Sequence, residues 1–207
     1  MNVLFGGFAA HLTTFEGEHM ITCEQGFDKR YEKSLGGTMG LVKDLEFLFN
    51  AKIVTLFEKP QDACTDDDRA SNFAGVDGVL KLWGRDWRVA LRVRTRCAVG
   101  ISVRHTEQKY VFLPVEKSPE LIIQKNVHSG EIFIVRSMPV YSLAKTILAR
   151  HSDAITYTKG QGYDYIPGPG GAGVSTFVDI HPQSVAEHIV CRCLVNPAQE
   201  ETLESLI

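Results

Sequence analysis

The chain has 207 residues, 44% of them hydrophobic and 23% charged, with a formal net charge of −3. These values fit one soluble globular domain that buries roughly 70% of the surface its unfolded form exposes, and they exclude a disordered chain or a general polycation. No apolar run approaches the ~20 residues of a membrane span, and the N-terminal stretch, without a basic leader and soon acidic, reads as mature protein.

The five cysteines, Cys23, Cys64, Cys97, Cys191 and Cys193, form no C-x-x-C pair. Such a scattered, odd set suits free thiols in a reducing, cytoplasmic setting better than a disulfide framework. The small net charge hides a local asymmetry. Residues 81–104 carry Lys81, Arg85, Arg88, Arg92, Arg94, Arg96 and Arg104 against one acid, Asp86. Residues 58–68 carry Glu58, Asp62, Asp66, Asp67 and Asp68 against Lys59. A basic stripe on a mildly acidic body points to a directed contact.

In chain order, the residues around Phe27–Leu35 read as a helix ended by Gly36 and Gly37, and LVKDLEFLF (41–49) as a second helix. AKIVTLFEK (51–59) is β-branched and aromatic and reads as a strand closed by Pro60. The acidic TDDDRASNF (65–73) reads as a loop or short helix. GVDGVLKL (75–82), the turn WGRD (83–86) and WRVALRVRT (87–95) then make a β-hairpin. In its second strand Trp87, Val89, Leu91 and Val93 share one face and Arg88, Ala90, Arg92 and Arg94 the other, with the strand running on towards Ile101 and Val103.

Further strands are expected at 109–115, 120–125 and 131–137, the last two joined through Ser129-Gly130. VYSLAKTILAR (140–150) follows Pro139 and has helical spacing. The glycine- and proline-rich 159–174 reads as a loop, STFVDI (175–180) as a strand and PQSVAEHIVCRCL (182–194) as a closing helix. The polar segment from 195 to 207 reads as a frayed tail to a single domain spanning 1–207. His188 and Cys191, spaced i and i+3, would share a helical face suited to zinc, but Cys193 points elsewhere and a buried closing helix is the simpler reading. GPGGAG (168–173) lacks the Lys-Ser/Thr of a phosphate-binding loop.

The order of these segments resembles the PD-(D/E)XK nuclease superfamily, in the form carried by small phage and plasmid proteins. GFDKRYEKSL resembles its first helix with an acid, Glu32, and GVDGVLKL its strand with a metal-binding aspartate, Asp77. VALRVR, FIVRSMPVYSLAKTI and TFVDIHPQSV follow in the order of its later motifs. The resemblance covers about residues 27–190 and rests on short motifs whose strength is their shared order. It implies an α/β (α+β) fold, a central mixed β-sheet flanked by helices, restriction-endonuclease-like. It implies Mg²⁺-dependent phosphodiester hydrolysis with Asp77 and Glu32 as metal ligands and Arg94 as a catalytic partner. It further implies nucleic acid, DNA rather than RNA, as the partner of Arg92, Arg94, Arg96, Arg136 and Lys145.

One departure bears on activity. Where the family places an acid and a lysine, this strand has Arg92 and Arg94, and an arginine does not ligate a metal. Either another acid (Glu32, Asp62 or Asp66) completes a metal site, or cleavage has been lost and the arginines bind phosphate through their planar donor fork. The second case is a catalytically inactive binding or inhibitor protein acting on nucleic acid or a host protein. Plainer readings stand beside these. Asp77 before Gly78 suits a strand bend, and the arginine row a solvated face or a charge-guarded edge. Glu32 suits an exposed helix acid paired with Lys29 or Lys33, and Lys145 a snorkelling surface residue.

Overall fold

The computed structural model describes residues 23–57, 65, 75–94, 100–104, 118–151, 156–167 and 176–195, with side chains of the first helix placed from Leu35 onward. One helix, α1 (Cys23–Phe49), replaces the two expected. Gly36 and Gly37 lie inside it because tertiary packing outweighs the ~1 kcal/mol that each glycine costs a helix. A Cβ on Gly37 would sit 3.4 Å from the Val93 side chain, so this glycine lets α1 approach the sheet closely.

Strands β1 (Lys52–Leu56), β2 (Gly78–Leu82), β3 (Arg85–Arg94), β5 (Leu121–Asn126), β6 (Glu131–Arg136) and β10 (Ile189–Leu194) form a six-stranded sheet in the order β1-β2-β3-β5-β6-β10. Only β3 and β5 pair in parallel, so the sheet is mixed, with helical layers against it as expected. The hairpin turn is shorter than expected. Trp83 and Gly84, both at positive φ (54° and 78°), make a two-residue turn, and Arg85 and Asp86 already pair with β2. The Trp83 ring meets Phe49 of α1 edge-on, with centroids 5.9 Å apart.

Three expectations are corrected. Ile101 and Val103 do not prolong β3; they belong to β4 (Ile101–Arg104) in a second, antiparallel sheet of order β4-β9-β8-β7. Residues 159–174 are not all loop: β7 (Thr158–Gly160) and β8 (Tyr163–Ile166) form a hairpin around Gly162, whose φ of 82° suits the turn. This hairpin joins β9 (Phe177–Ile180). The closing segment is a 3-10 turn (Pro182–His188), kinked at Val185, followed by a strand. Its alternating, β-branched IVCRCL pairs along the β6 edge, where backbone groups would otherwise lack partners. The strand expected at 109–115, the acidic 66–73, the GPGGAG segment and the tail from 196 lie outside the described residues.

Two cores result. Leu41, Val42 and Leu45 of α1 pack on Leu80, Leu82, Trp87, Val89, Leu91 and neighbouring strand residues on one face of the large sheet. On the other face, Ala90, Ile122 and Val135 pack with the second sheet and with α2 (Ser137–Arg150). Helix α2 begins directly after β6, with Pro139 in its first turn, three residues earlier than expected. The alternation along β3 therefore holds, but the face opposite α1 is covered by a second layer.

Candidate functional site: a hairpin arginine pair held by two aspartates

Asp77 immediately precedes β2. Its N–H donates to the Val89 carbonyl (2.9 Å), and its carbonyl accepts from the Phe57 N–H (2.8 Å), which ties it between β1 and β3. Gly78 follows because a Cβ there would come within 2.8 Å of the Thr55 carbonyl oxygen. The Asp77 carboxylate accepts the Leu91 N–H at 2.7 Å and is ion-paired with the Arg92 guanidinium. It thereby prolongs the β2–β3 ladder by one side-chain rung. Arg92 also donates to the Leu91 carbonyl at 2.8 Å.

Two residues along, Arg94 reaches across to the second sheet. It donates to the Ser102 hydroxyl on β4 and to Asp179 Oδ2 on β9 (2.9 Å), with Phe177 beneath its guanidinium. Asp179 is 2% exposed. Burial pushes its carboxyl above the ordinary range, Arg94 and Ser102 pull it back, and the Asp164 charge adds to the rise. Gln124 on β5 sits beside Arg92 in the parallel register. It accepts the Ser102 N–H (2.9 Å) and donates to the Gly100 carbonyl (2.8 Å), which docks β4 on the large sheet.

Of the other expected site residues, Arg136 ends β6 and is exposed, its guanidinium 5.0 Å from the centre of the Trp87 ring. Arg85 stacks on that ring at 3.8 Å. Arg85 and Arg88 pair with Glu120, and Arg88 Nε donates to the Ser118 carbonyl at 2.8 Å. Beside them is a cavity of about 240 Å³ lined by Ser118, Pro119, Glu120, Arg136, Met138 and Pro139. Lys145 lies exposed on α2. Arg96 lies outside the described residues. Glu32 is in α1, whose described side chains pack on the sheet face opposite Ala90, Arg92 and Arg94; its own side chain is not among those described.

The structure thus joins Asp77 to Arg92 and Arg94 to Asp179, and leaves Arg136 and Lys145 on the surface. Among the described residues, no three His, Cys, Asp or Glu side chains are placed to hold a metal ion. The helical face expected to carry His188 and Cys191 is not formed. Cys191 and Cys193 lie on β10, partly buried against the α1 core, while His188 ends the 3-10 turn. Burial and the neighbouring Cys191 push the Cys193 thiol up to about 11.

Sequence reasoning passed over Asp179, Asp164, Ser102 and Gln124. The F-x-D in TFVDIHPQSV was the available signal, but its partner Arg94 lies 85 residues earlier. Comparison with protein-family models, with curated proteins and with solved structures finds no match to this chain. Among the described residues no helix is long and apolar enough to cross a membrane.

Proposed function

We propose that the chain is a non-cleaving, nucleic-acid-binding protein on a PD-(D/E)XK-like scaffold. The observation that carries this reading is the Asp77–Arg92 ion pair: a guanidinium already supplies the positive charge that a Mg²⁺ ion would supply to this carboxylate. Arg92 and the Leu91 N–H both engage Asp77 Oδ2, so a cation on that oxygen would have to displace Arg92 and strip the Leu91 N–H of its acceptor. The element order supports the scaffold: helix, the strand that follows Asp77, the arginine strand, the strand ending in Arg136, the helix with Lys145, and the strand with Asp179. Phosphate contact then falls to the exposed Arg136 and Lys145 rather than to Arg92 and Arg94, whose charges are met inside the protein.

A host-protein partner is the second reading. It is favoured by the inward turn of Arg92 and Arg94, which removes two charges from the basic stripe.

The test is incubation with Mg²⁺ or Mn²⁺ and single- and double-stranded DNA and RNA, with affinity measured over a range of salt. No cleavage is expected, and log K should fall with log salt by about 0.9 per duplex phosphate contacted, a slope that Arg136→Gln reduces by about one contact. Metal-dependent cleavage abolished in a folded Asp77→Asn variant would overturn the non-cleaving reading. Absence of nucleic-acid binding even at low salt would transfer it to a protein partner.

A further inference from the structure

The cavity beside Arg136, about 240 Å³ in volume, lies where β6 passes into helix α2. A helix gives no internal partner to the N–H groups of its first turn. Here that of Ser137 donates to the Glu120 carbonyl at 3.1 Å, and Pro139 has none. The N–H of Met138 is left, in a residue that lines the cavity at the positive end of the helix dipole. No side chain caps this 14-residue helix, and its first turn holds no acid.

Two side chains add independent signals. Ser118 lines the same cavity and is 4% exposed, yet its hydroxyl oxygen has no hydrogen-bond partner. An orphaned buried hydroxyl is costly, and at a cavity wall it points to a group that completes it. Arg136 meets the Trp87 ring at 5.0 Å and, among the described residues, no carboxylate. Glu120, the acid of the lining, is already engaged: Arg85 pairs with its Oε1, and the Arg88 N–H donates to Oε2 at 3.1 Å. The guanidiniums of Arg85, Arg88 and Arg136 thus stand against a single carboxylate, which leaves a positive surplus at the cavity.

We propose that this cavity receives one phosphate group presented end-on, as at the terminus of a nucleic-acid strand. A phosphate monoester offers three acceptor oxygens to the donors gathered here, the Arg136 fork, the Ser118 hydroxyl and the Met138 N–H. The volume falls short of the roughly 300–1,000 Å³ that a drug-sized ligand occupies, so the phosphate enters without its nucleoside. An internal phosphodiester, flanked by sugars on both sides and with fewer free oxygens, suits the cavity less. That the phosphate belongs to a nucleic acid rests on the proposed function; the donors in the cavity do not.

The test uses oligonucleotides of one sequence carrying a 5′-phosphate, a 3′-phosphate or hydroxyls at both ends, titrated into the full chain at one salt concentration. A phosphate at one of the ends should tighten binding roughly tenfold or more. Ser118→Ala should cut that advantage, and it should fold, since the hydroxyl it removes holds nothing in place. Equal affinity for all three, or an advantage that Ser118→Ala keeps in full, overturns the proposal and leaves the nucleic-acid reading standing. If no oligonucleotide binds, that reading falls and inorganic phosphate decides for the cavity. It should then shift the Met138 amide resonance in the native chain and less so in Ser118→Ala; no shift overturns the proposal.

Discussion

Replacing Asp77 with alanine removes two things at once: the acceptor of the buried Leu91 N–H and the counter-charge of Arg92. Breaking a largely buried pair from one side costs about 3–5 kcal/mol, because the remaining charge is left uncompensated. Urea denaturation of Asp77→Ala should register a loss of that size, and Asp77→Asn, which retains an acceptor for Leu91, a smaller one. An Asp77→Ala protein as stable as the native chain would show that the carboxylate does not hold the hairpin. The residue was visible in the sequence as a candidate; its partner was not. Alternation put Arg92 on a face, but only the β2–β3 register brought its guanidinium back to the aspartate just before β2.

Helix α1 illustrates how an element escapes its local signals. Gly36-Gly37 is a helix stop by propensity, yet the helix continues, since Gly37 meets Val93 while Gly36 faces open space. The two positions should therefore respond oppositely to substitution. Gly37→Leu forces side-chain atoms into Val93 and should cost about 1–3 kcal/mol by overpacking. Gly36→Ala should stabilise by about 0.4–1 kcal/mol through helix propensity and the unfolded chain's entropy. Melting curves of the two variants test this, and equal shifts would contradict it. The closing segment makes the same point for strands. Residues 182–194 read as a helix from sequence, yet the edge of β6 decided for β10 over 189–194.

Among the described residues, Gln124 is central to the polar contacts that join the two sheets. It is 1% exposed and satisfies both the Ser102 N–H and the Gly100 carbonyl, while Arg94 spans the same gap to Asp179. Gln124→Leu leaves two buried backbone groups unpaired at about 1–3 kcal/mol each. Amide exchange should accelerate in β4 and β9 well before it does in β5 and β6; a uniform change over all four strands would refute this linking role. By itself the sequence determined the hairpin, the helix over 140–150 though not its start at Ser137, the strands at β1, β5, β6 and β9, and the mixed α and β character of the fold, because these follow from local periodicity and turn chemistry. Tertiary structure alone decided the parallel β3–β5 pairing, the second sheet and the engagement of Arg92 and Arg94 by Asp77 and Asp179. Those features depend on contacts between residues far apart in the chain, where a buried charge finds its partner by position and not by spacing.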